Sequence, residues 1–245
     1  TRLLTVTGVQ TCALPICDSV SFVAALGSNT TGANNTAMGA GALGSNTTAS
    51  NNTAVGYQAY YTMGATGGGG GVAIGYQAMR NATDTFGNSV GVGYQALYSV
   101  TSGGNNLAIG AQSGYNITTG NDNTAVGGYR ALYSNTTGAS NTAIGREALY
   151  SNTTANNLTA VGYQALYSNT NANNSAAFGY KAAYAATNGA IDAFGYLAAS
   201  ATTTGIWNAA FGSLTLLNNT TGSYNVALGQ QALYSNTNGS QNTAV

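Results

Sequence analysis

The sequence predicts an all-β fold, a parallel β-solenoid whose coils are about 17 residues long. The main observation is a glycine that follows an Ala-plus-apolar pair and returns every 16 to 19 residues. This period is shorter than that of any helix-pair repeat and fits one coil of a β-solenoid. The twelve glycines are Gly39, Gly56, Gly75, Gly93, Gly110, Gly127, Gly145, Gly162, Gly179, Gly195, Gly212 and Gly229.

The composition favours an ordered chain with an uncharged surface. Hydrophobic residues make up 44% of the chain and recur at fixed positions of the repeat, a pattern that is not typical of disordered chains. Only 4% of residues are charged and the formal net charge is zero, so the chain lacks the basic footprint of a nucleic-acid binder. No apolar run is long enough to insert into a membrane as a helix. A polar, uncharged surface suits an extracellular, cell-surface or virion-surface fibre.

Each coil carries apolar columns at fixed positions, numbered here from the glycine as position 0; in the coil that inserts one residue at 127–128, positions before the glycine count from Gly127 and positions after it from Gly128. Position −2 is Ala in eleven coils, position +3 is Ala in ten, and position +4 is usually Leu. Position −1 is apolar in all twelve coils: Met38, Val55, Ile74, Val92, Ile109, Val126, Ile144, Val161, Phe178, Phe194, Phe211 and Leu228. The sequence leaves open which apolar column faces the interior and which faces a partner.

Alternation within the coil predicts two short strands, one over Thr-Ala-Val-Gly and one over Tyr-Gln-Ala-Leu-Tyr. The glycine between them fits a corner that needs a positive φ or a close backbone approach. The Ser-Asn-Thr-Thr-Gly-Ala-Asn-Asn stretch is typical of polar surface turns. We expect the run from Gly67 to Gly71 to be a long turn and not a phosphate-binding loop, which needs a lysine and a following helix.

Stacked coils predict a thin rod. Coils about 4.8 Å apart would give twelve coils a length of roughly 55 to 60 Å and turn each column into a ladder. Ala-rich columns bury little apolar surface within one chain and allow close approach of a second one. The sequence therefore predicts a self-associating chain.

Fifteen of the seventeen tyrosines occupy two columns, positions +1 and +5. Such ladders combine an apolar body with a polar tip and suit interfaces or sugar-stacking surfaces. The alternative is packing over coil edges or against another subunit. The candidate ligand-binding residues are Tyr57, Tyr76, Tyr94, Tyr163 and Tyr180 at position +1, with Tyr98, Tyr133, Tyr150 and Tyr167 at position +5.

The two ends of the chain are expected to be unnatural boundaries. Residues 6–16 read VTGVQTCALPI, which resembles the in-frame translation of a sequencing-library adapter. Residues 1–17, which contain Cys12 and Cys17, are therefore expected to be a non-native leader, followed by a repeat domain over 18–245 with about 12 to 13 coils. The chain is expected to be a fragment that stops within its last coil, as from a metagenomic source.

The chain offers no pattern typical of catalysis or metal binding, so we expect no enzyme, no cofactor and no metal site. It contains no histidine, and Asp84, Asp122 and Asp192 share no spacing. Glu147 beside Arg146 is expected to be a local surface charge. The single tryptophan, Trp207, is expected to pack in the core or at a coil edge. Repeated Asn-x-Thr matches a glycosylation acceptor, but it recurs because the coil recurs.

The repeat resembles a known family. Asn-Thr-Ala-Val-Gly at 52–56 and Asn-Thr-Ala-Ile-Gly at 141–145 resemble the core repeat of YadA-like trimeric autotransporter adhesin heads. The longer unit resembles tail-fibre-like repeat proteins that carry a C-terminal intramolecular chaperone. This resemblance implies left-handed parallel β-rolls, homotrimers displayed outside the cell, and binding to a host-surface or matrix protein or a glycan. The period of about 17 residues, where the family has about 14, departs from the pattern.

The leading hypothesis is therefore a non-enzymatic structural and adhesive rod, the head or shaft segment of a trimeric surface adhesin or phage tail fibre. The alternative is a monomeric ice-binding β-solenoid, since stacked threonines can form flat, regular ladders. Such surfaces usually carry two outward threonines per strand, and this chain has one in most coils. A solenoid enzyme such as a polysaccharide lyase is the third reading and lacks the acid and base residues it would need.

Overall fold

The protein is a parallel β-solenoid of about twelve turns in a computed structural model that describes residues 24–63, 69–83 and 88–245. The adapter-like stretch, both cysteines, Gly67, Gly68 and Asp84 lie outside the described residues. The described part contains thirteen strands and no helix. They are β1 (Thr36–Met38), β2 (Thr53–Val55), β3 (Val72–Ile74), β4 (Val90–Val92), β5 (Leu107–Ala111), β6 (Thr124–Tyr129), β7 (Thr142–Ile144), β8 (Thr159–Val161), β9 (Ala176–Phe178), β10 (Ile191–Phe194), β11 (Asn208–Phe211), β12 (Val226–Leu228) and β13 (Thr243–Ala244).

The strands form one sheet in chain order, and every neighbouring pair is parallel. Register follows the repeat, so that Ala143 pairs with Ala160 and Ile144 with Val161. A one-residue slip would move each side chain to the opposite face, so the alternation fixes this register. The register shifts once, between β5 and β6, where Ala111 pairs with Tyr129. That shift confirms the inserted residue expected at 127–128.

The corner glycines confirm their predicted role. Eleven of the twelve have a φ between 110° and 145°. A Cβ on Gly162 would overlap the backbone carbonyl oxygen of Gly179 in the next coil. Only glycine combines this backbone conformation with such a close approach, so the ladder of glycines lets consecutive coils turn at the same place.

The prediction of a second strand is wrong. At positions +2 and +4 every described coil has a positive φ, between 48° and 71°, as at Gln77 and Met79. A strand needs extended backbone at every residue, and here every second residue is left-handed, so the segment forms turns. The backbone amides of these turns still donate hydrogen bonds to both neighbouring coils. The Gln77 amide donates to the Tyr57 carbonyl at 2.8 Å, and the Met79 amide donates to the Ala96 carbonyl at 2.9 Å. These bonds offset the roughly 1–2 kcal/mol that a left-handed non-glycine residue costs.

The core is a narrow column of Ala and Leu side chains. Ala143 at position −2, Ala148 at +3 and Leu149 at +4 are fully buried in the same coil. Position −1 faces outwards, as Ile144 does, and so does position −3. The structure thus resolves the question that the sequence left open: the apolar column before the glycine lies on the outer face of the sheet.

Two asparagine ladders line the ends of this core, at positions −4 and +7. The sequence placed these residues in surface turns, and that expectation is wrong. The Asn52 amide groups, backbone N and Nδ2, donate to Asn35 Oδ1 at 3.0 and 3.1 Å, and Asn35 Nδ2 donates to the Ala49 carbonyl at 2.8 Å. At position +7, Asn152 Nδ2 donates to Asn135 Oδ1 at 3.0 Å. Asn135 and Asn152 stand in Asn-Thr-Thr motifs and are fully buried, so these motifs are not accessible as glycosylation acceptors.

Candidate functional site

Two outer surfaces of the solenoid are candidates for function. The first, called the sheet band here, consists of the outward side chains at positions −3 and −1 of the strands. The second, called the tyrosine face, consists of positions +1, +2 and +5. Both surfaces run along the coil stack, so any function they have is distributed over many coils.

The sheet band is predominantly apolar and exposed. Met38 is 52% and Leu228 is 51% exposed, at the two ends of the column at position −1. Between them, three phenylalanines stack at 4.8 Å between ring centroids, Phe178 on Phe194 and Phe194 on Phe211. The only acidic residue in a described strand, Asp192, lies in this band.

The tyrosine face has two lanes of stacked rings. At position +5, six rings form one unbroken stack with centroids 5.0 to 5.3 Å apart: Tyr98, Tyr115, Tyr133, Tyr150, Tyr167 and Tyr184. At position +1, two stacks of three rings form, Tyr57, Tyr76 and Tyr94 in one, and Tyr163, Tyr180 and Tyr196 in the other. Every candidate tyrosine from the sequence therefore lies in one of these stacks.

A lane of glutamine side chains separates the two tyrosine lanes. Gln77 Nε2 donates to Gln58 Oε1 at 3.0 Å, and Gln95 Nε2 donates to Gln77 Oε1 at 3.0 Å. Arg130 Nε ends the series by donating to Gln112 Oε1 at 2.8 Å. Sequence reasoning missed this ladder, although glutamine at position +2 in several coils is the signal that could have found it.

The few cations of the tyrosine face lie over its rings. Arg130 packs over Tyr129 at 4.5 Å and over Tyr133 at 4.9 Å, and so bridges the two lanes. Arg146 lies between Tyr129 at 5.7 Å and Tyr163 at 6.0 Å, in a coil that lacks the tyrosine at +1. Its Nε is 4.0 Å from Glu147 Oε1, at the limit of an ion pair, and its side chain is 58% exposed, so the ion pair is weak. The Glu147 side chain is only 15% exposed and accepts from Gln164 Nε2 at 2.7 Å, so it is not the surface charge that the sequence suggested.

Burial and mutual repulsion keep part of this face protonated. Burial raises the pKa of Tyr115 above its ordinary value, and the neighbouring hydroxyls of Tyr98 and Tyr133 add to the rise. Burial also raises the pKa of Tyr167, with further contributions from Tyr150 and Glu147. These hydroxyls therefore remain hydrogen-bond donors through neutral and mildly alkaline pH.

The stacking limits how a ligand could meet the tyrosines. A ring inside a stack has a neighbouring ring about 5 Å away on each face, which leaves only its edge and hydroxyl outwards. A sugar that stacks on an aromatic face would need one of the rings at the end of a stack. Ligand binding by the nine candidate tyrosines stays a prediction, and the accessible chemistry is a row of hydroxyls and glutamine amides.

Among residues 24–63, 69–83 and 88–245, no three His, Cys, Asp or Glu side chains group as metal ligands would. The same residues include no helix long and apolar enough to cross a membrane. No family model, curated protein or solved structure matches the chain.

Proposed function

We propose that the chain is a non-enzymatic structural rod that assembles with copies of itself, as a head or shaft segment of a trimeric surface adhesin or tail fibre. The exposed sheet band is the observation that carries the proposal. The rod would lie outside the cell, on a cell or virion surface, and the tyrosine face would meet a host-surface protein, matrix protein or glycan.

The dimensions of the sheet band support self-association. Two outward residues per strand over twelve strands give a strip about 55 Å long and about 7 Å wide. That is about 400 Å² in projection, and contiguous apolar patches of several hundred Å² mark interaction surfaces. The core inside consists mostly of Ala and Leu, so packing this strip would add substantially to the apolar area that each chain buries.

The side-chain sizes across the band support a packed partner. The three phenylalanines at position −1 share their strands with small residues at position −3: Ala176, Asp192 and Ala209. In the nine other strands up to β12, position −3 holds Thr, Val or Leu. In these strands a large outward residue is thus paired with a small one. This pairing is expected if a second protein surface packs at a constant distance from the sheet, whereas contact with water would not require it.

A second copy suits this band better than a charged partner does. The band is uncharged except for Asp192. Parallel copies at equal height would place each coil beside the same coil of its neighbour, so that the phenylalanine levels meet one another. A closed symmetric assembly of this kind would cover the position −1 column in each chain and leave position −3, including Asp192, at the rim of the contact.

Light scattering tests the proposal through the mass in solution. The wild-type chain of 24.4 kDa is expected to have the mass of three chains. Ile144→Asp, which places like charges opposite one another in the assembly, should lower that mass while the circular dichroism spectrum stays β-rich. Thr154→Asp, an exposed change away from the band, is the matched control and should leave the mass unchanged. A wild-type monomer, or equal effects of both variants, would contradict self-association through the band.

The ice-binding alternative gains no support from the outer face. Threonine begins six of the thirteen strands, and the outward neighbours at position −1 range from Val to Phe. A regular lattice of one side-chain type is therefore missing, and thermal hysteresis of the wild-type chain would be needed to revive that function.

A further inference from the structure

One coil differs from the others by a missing residue. The interval from Gly179 to Gly195 is 16 residues, one fewer than the common spacing. Compared with the neighbouring coils, the turn before β10 lacks one residue. In the neighbouring coils position −5 is left-handed, with φ 59° at Asn174 and 56° at Trp207, whereas Ala190 is not among the residues with positive φ.

The backbone bonds show which side chain is absent. The Tyr224 amide at position −5 donates to the carbonyl of Ile206 at position −6 of the preceding coil, at 2.9 Å. The Trp207 amide makes the corresponding bond to Ala190, at 2.7 Å. Ala190 thus takes the place of position −6 in the ladder, so its coil lacks the outward side chain of position −5.

The missing side chain leaves a notch of about 130 Å³ between two coils. Asn174 from the coil before and Trp207 from the coil after line it, and Ala190 and Ile191 lie between them. Asp192 also lines the opening. The coils before and after the shortened coil are about 9.6 Å apart, twice the spacing of adjacent coils. This distance leaves room for one small group between the Asn174 and Trp207 side chains.

The sequence predicts that Trp207 packs in the core or at a coil edge. Its side chain is 61% exposed, so it does not pack in the core. None of the cation–ring contacts within the described residues involves Trp207, and Asp192 makes no ion pair there. An exposed indole and a carboxylate in one small opening are complementary to an organic cation, since the ring face and the negative charge both attract it. The chain already places cations on weaker aromatic rings, as Lys181 over Tyr184 at 5.1 Å shows.

We propose that this notch binds an alkylammonium group of the trimethylammonium class, held by the Trp207 ring and the Asp192 carboxylate. The volume suits one such head group and is too small for a drug-sized ligand. The group could come from a free choline-type molecule or from the head of a phosphatidylcholine lipid, which share this chemistry. Asp192 and Trp207 stand at positions −3 and −5, outside the position −1 column that the assembly would cover, so the site does not depend on the self-association proposed above.

Fluorescence tests the site directly because Trp207 is the only tryptophan in the chain. The full chain is titrated with choline at constant ionic strength, with selective excitation of the indole. A saturable change in emission in the millimolar range is expected for one cation–π contact with a nearby carboxylate. Dimethylbutanol, the uncharged carbon isostere of choline, should give no saturable change. No saturation with choline, or an equal response to both compounds, would overturn the proposal.

Two variants and a matched control locate the charge and the cavity. Asp192→Asn should raise the half-saturating choline concentration by about fivefold or more, because only the charge is lost. Ala190→Gln, whose longer side chain fills the notch, should abolish the response. Asp122→Asn removes an exposed carboxylate in another coil and should leave the titration unchanged. An Asp192→Asn variant that binds choline like the wild type would refute the role of the carboxylate.

Vesicles distinguish the two sources of the head group. Co-sedimentation with phosphatidylcholine vesicles, but not with phosphatidylglycerol vesicles, together with the choline response, would support the site and point to a lipid head group. A choline response without vesicle binding would support the site and point to a free small molecule. Equal sedimentation with both vesicle types and no choline response would overturn the proposal.

Discussion

The buried asparagine ladder makes a sharp prediction about stability at Asn141. Its side chain makes two bonds inside the solenoid: Nδ2 donates to the Ala155 carbonyl at 2.9 Å, and Oδ1 accepts from the Leu158 amide at 3.0 Å. In Asn141→Ala the Ala155 carbonyl keeps a second donor, Asn152 Nδ2 at 3.2 Å. The Leu158 amide loses the acceptor that Asn141 provides and lies in a fully buried residue.

The expected loss follows from these contacts. A buried donor without a partner costs about 1–3 kcal/mol. The cavity left by the missing amide adds up to about 1 kcal/mol, so the free energy of unfolding should fall by about 1–4 kcal/mol. For a chain of this size that corresponds to a decrease in Tm of about 2–15 °C. Thermal unfolding followed by circular dichroism measures it.

The matched control is Asn188→Ala, an asparagine that is exposed at a turn. It should change the free energy of unfolding by no more than about 0.5 kcal/mol. If both alanine variants melt at the same temperature, the buried ladder contributes nothing and the reasoning is refuted.

Three further predictions concern the corner, the core and the tyrosine face. Gly162→Ala should destabilise by at least about 2 kcal/mol because its Cβ overlaps the Gly179 carbonyl at a φ of 136°, whereas Gly128→Ala, with open space around it, should be nearly neutral in thermal unfolding. Leu149→Ala should cost about 2–5 kcal/mol in chemical denaturation, and the outward Ile144→Ala should cost clearly less in the dissociated chain; equal losses would contradict the assignment of inner and outer columns. Tyr115 and Tyr167 have pKa values raised above that of the unfolded chain, so their contribution to stability is complete below pH of about 10 and is lost as the pH rises through their folded-state pKa values. Unfolding measured across that range should show a smaller alkaline loss of stability in Tyr167→Phe than in wild type, and identical pH profiles would refute the assignment.

The repeat itself was predictable because it depends on backbone geometry that few residues allow. The corner glycines, the buried alanines at −2 and +3, and the one-residue insertion at 127–128 all follow from spacing and size. The second strand was not predictable from alternation. Gln58 and Tyr60 adopt left-handed conformations that neither side chain favours, and hydrogen bonds to both neighbouring coils stabilise them.

The polar and aromatic columns show where pattern reasoning reaches its limit. Asn52 and Asn51 are adjacent and identical in type, yet the first is buried in the ladder and the second is exposed. Only the path of the turn distinguishes them. The tyrosine columns were found from spacing alone, but the covered ring faces follow from the distance between coils, and so does the notch at Ala190.

Cysteine cross-linking tests the central claim, that copies meet through the sheet band, most directly. In the chain with Cys12 and Cys17 replaced by serine, one new cysteine is introduced at a time and oxidised under dilute conditions. Ile144→Cys should form disulfide-linked dimers rapidly, because parallel copies at equal height bring the same position together, and Thr154→Cys should stay monomeric on a denaturing gel. Cross-linking at Thr154→Cys but not at Ile144→Cys, or at neither position, would contradict the account.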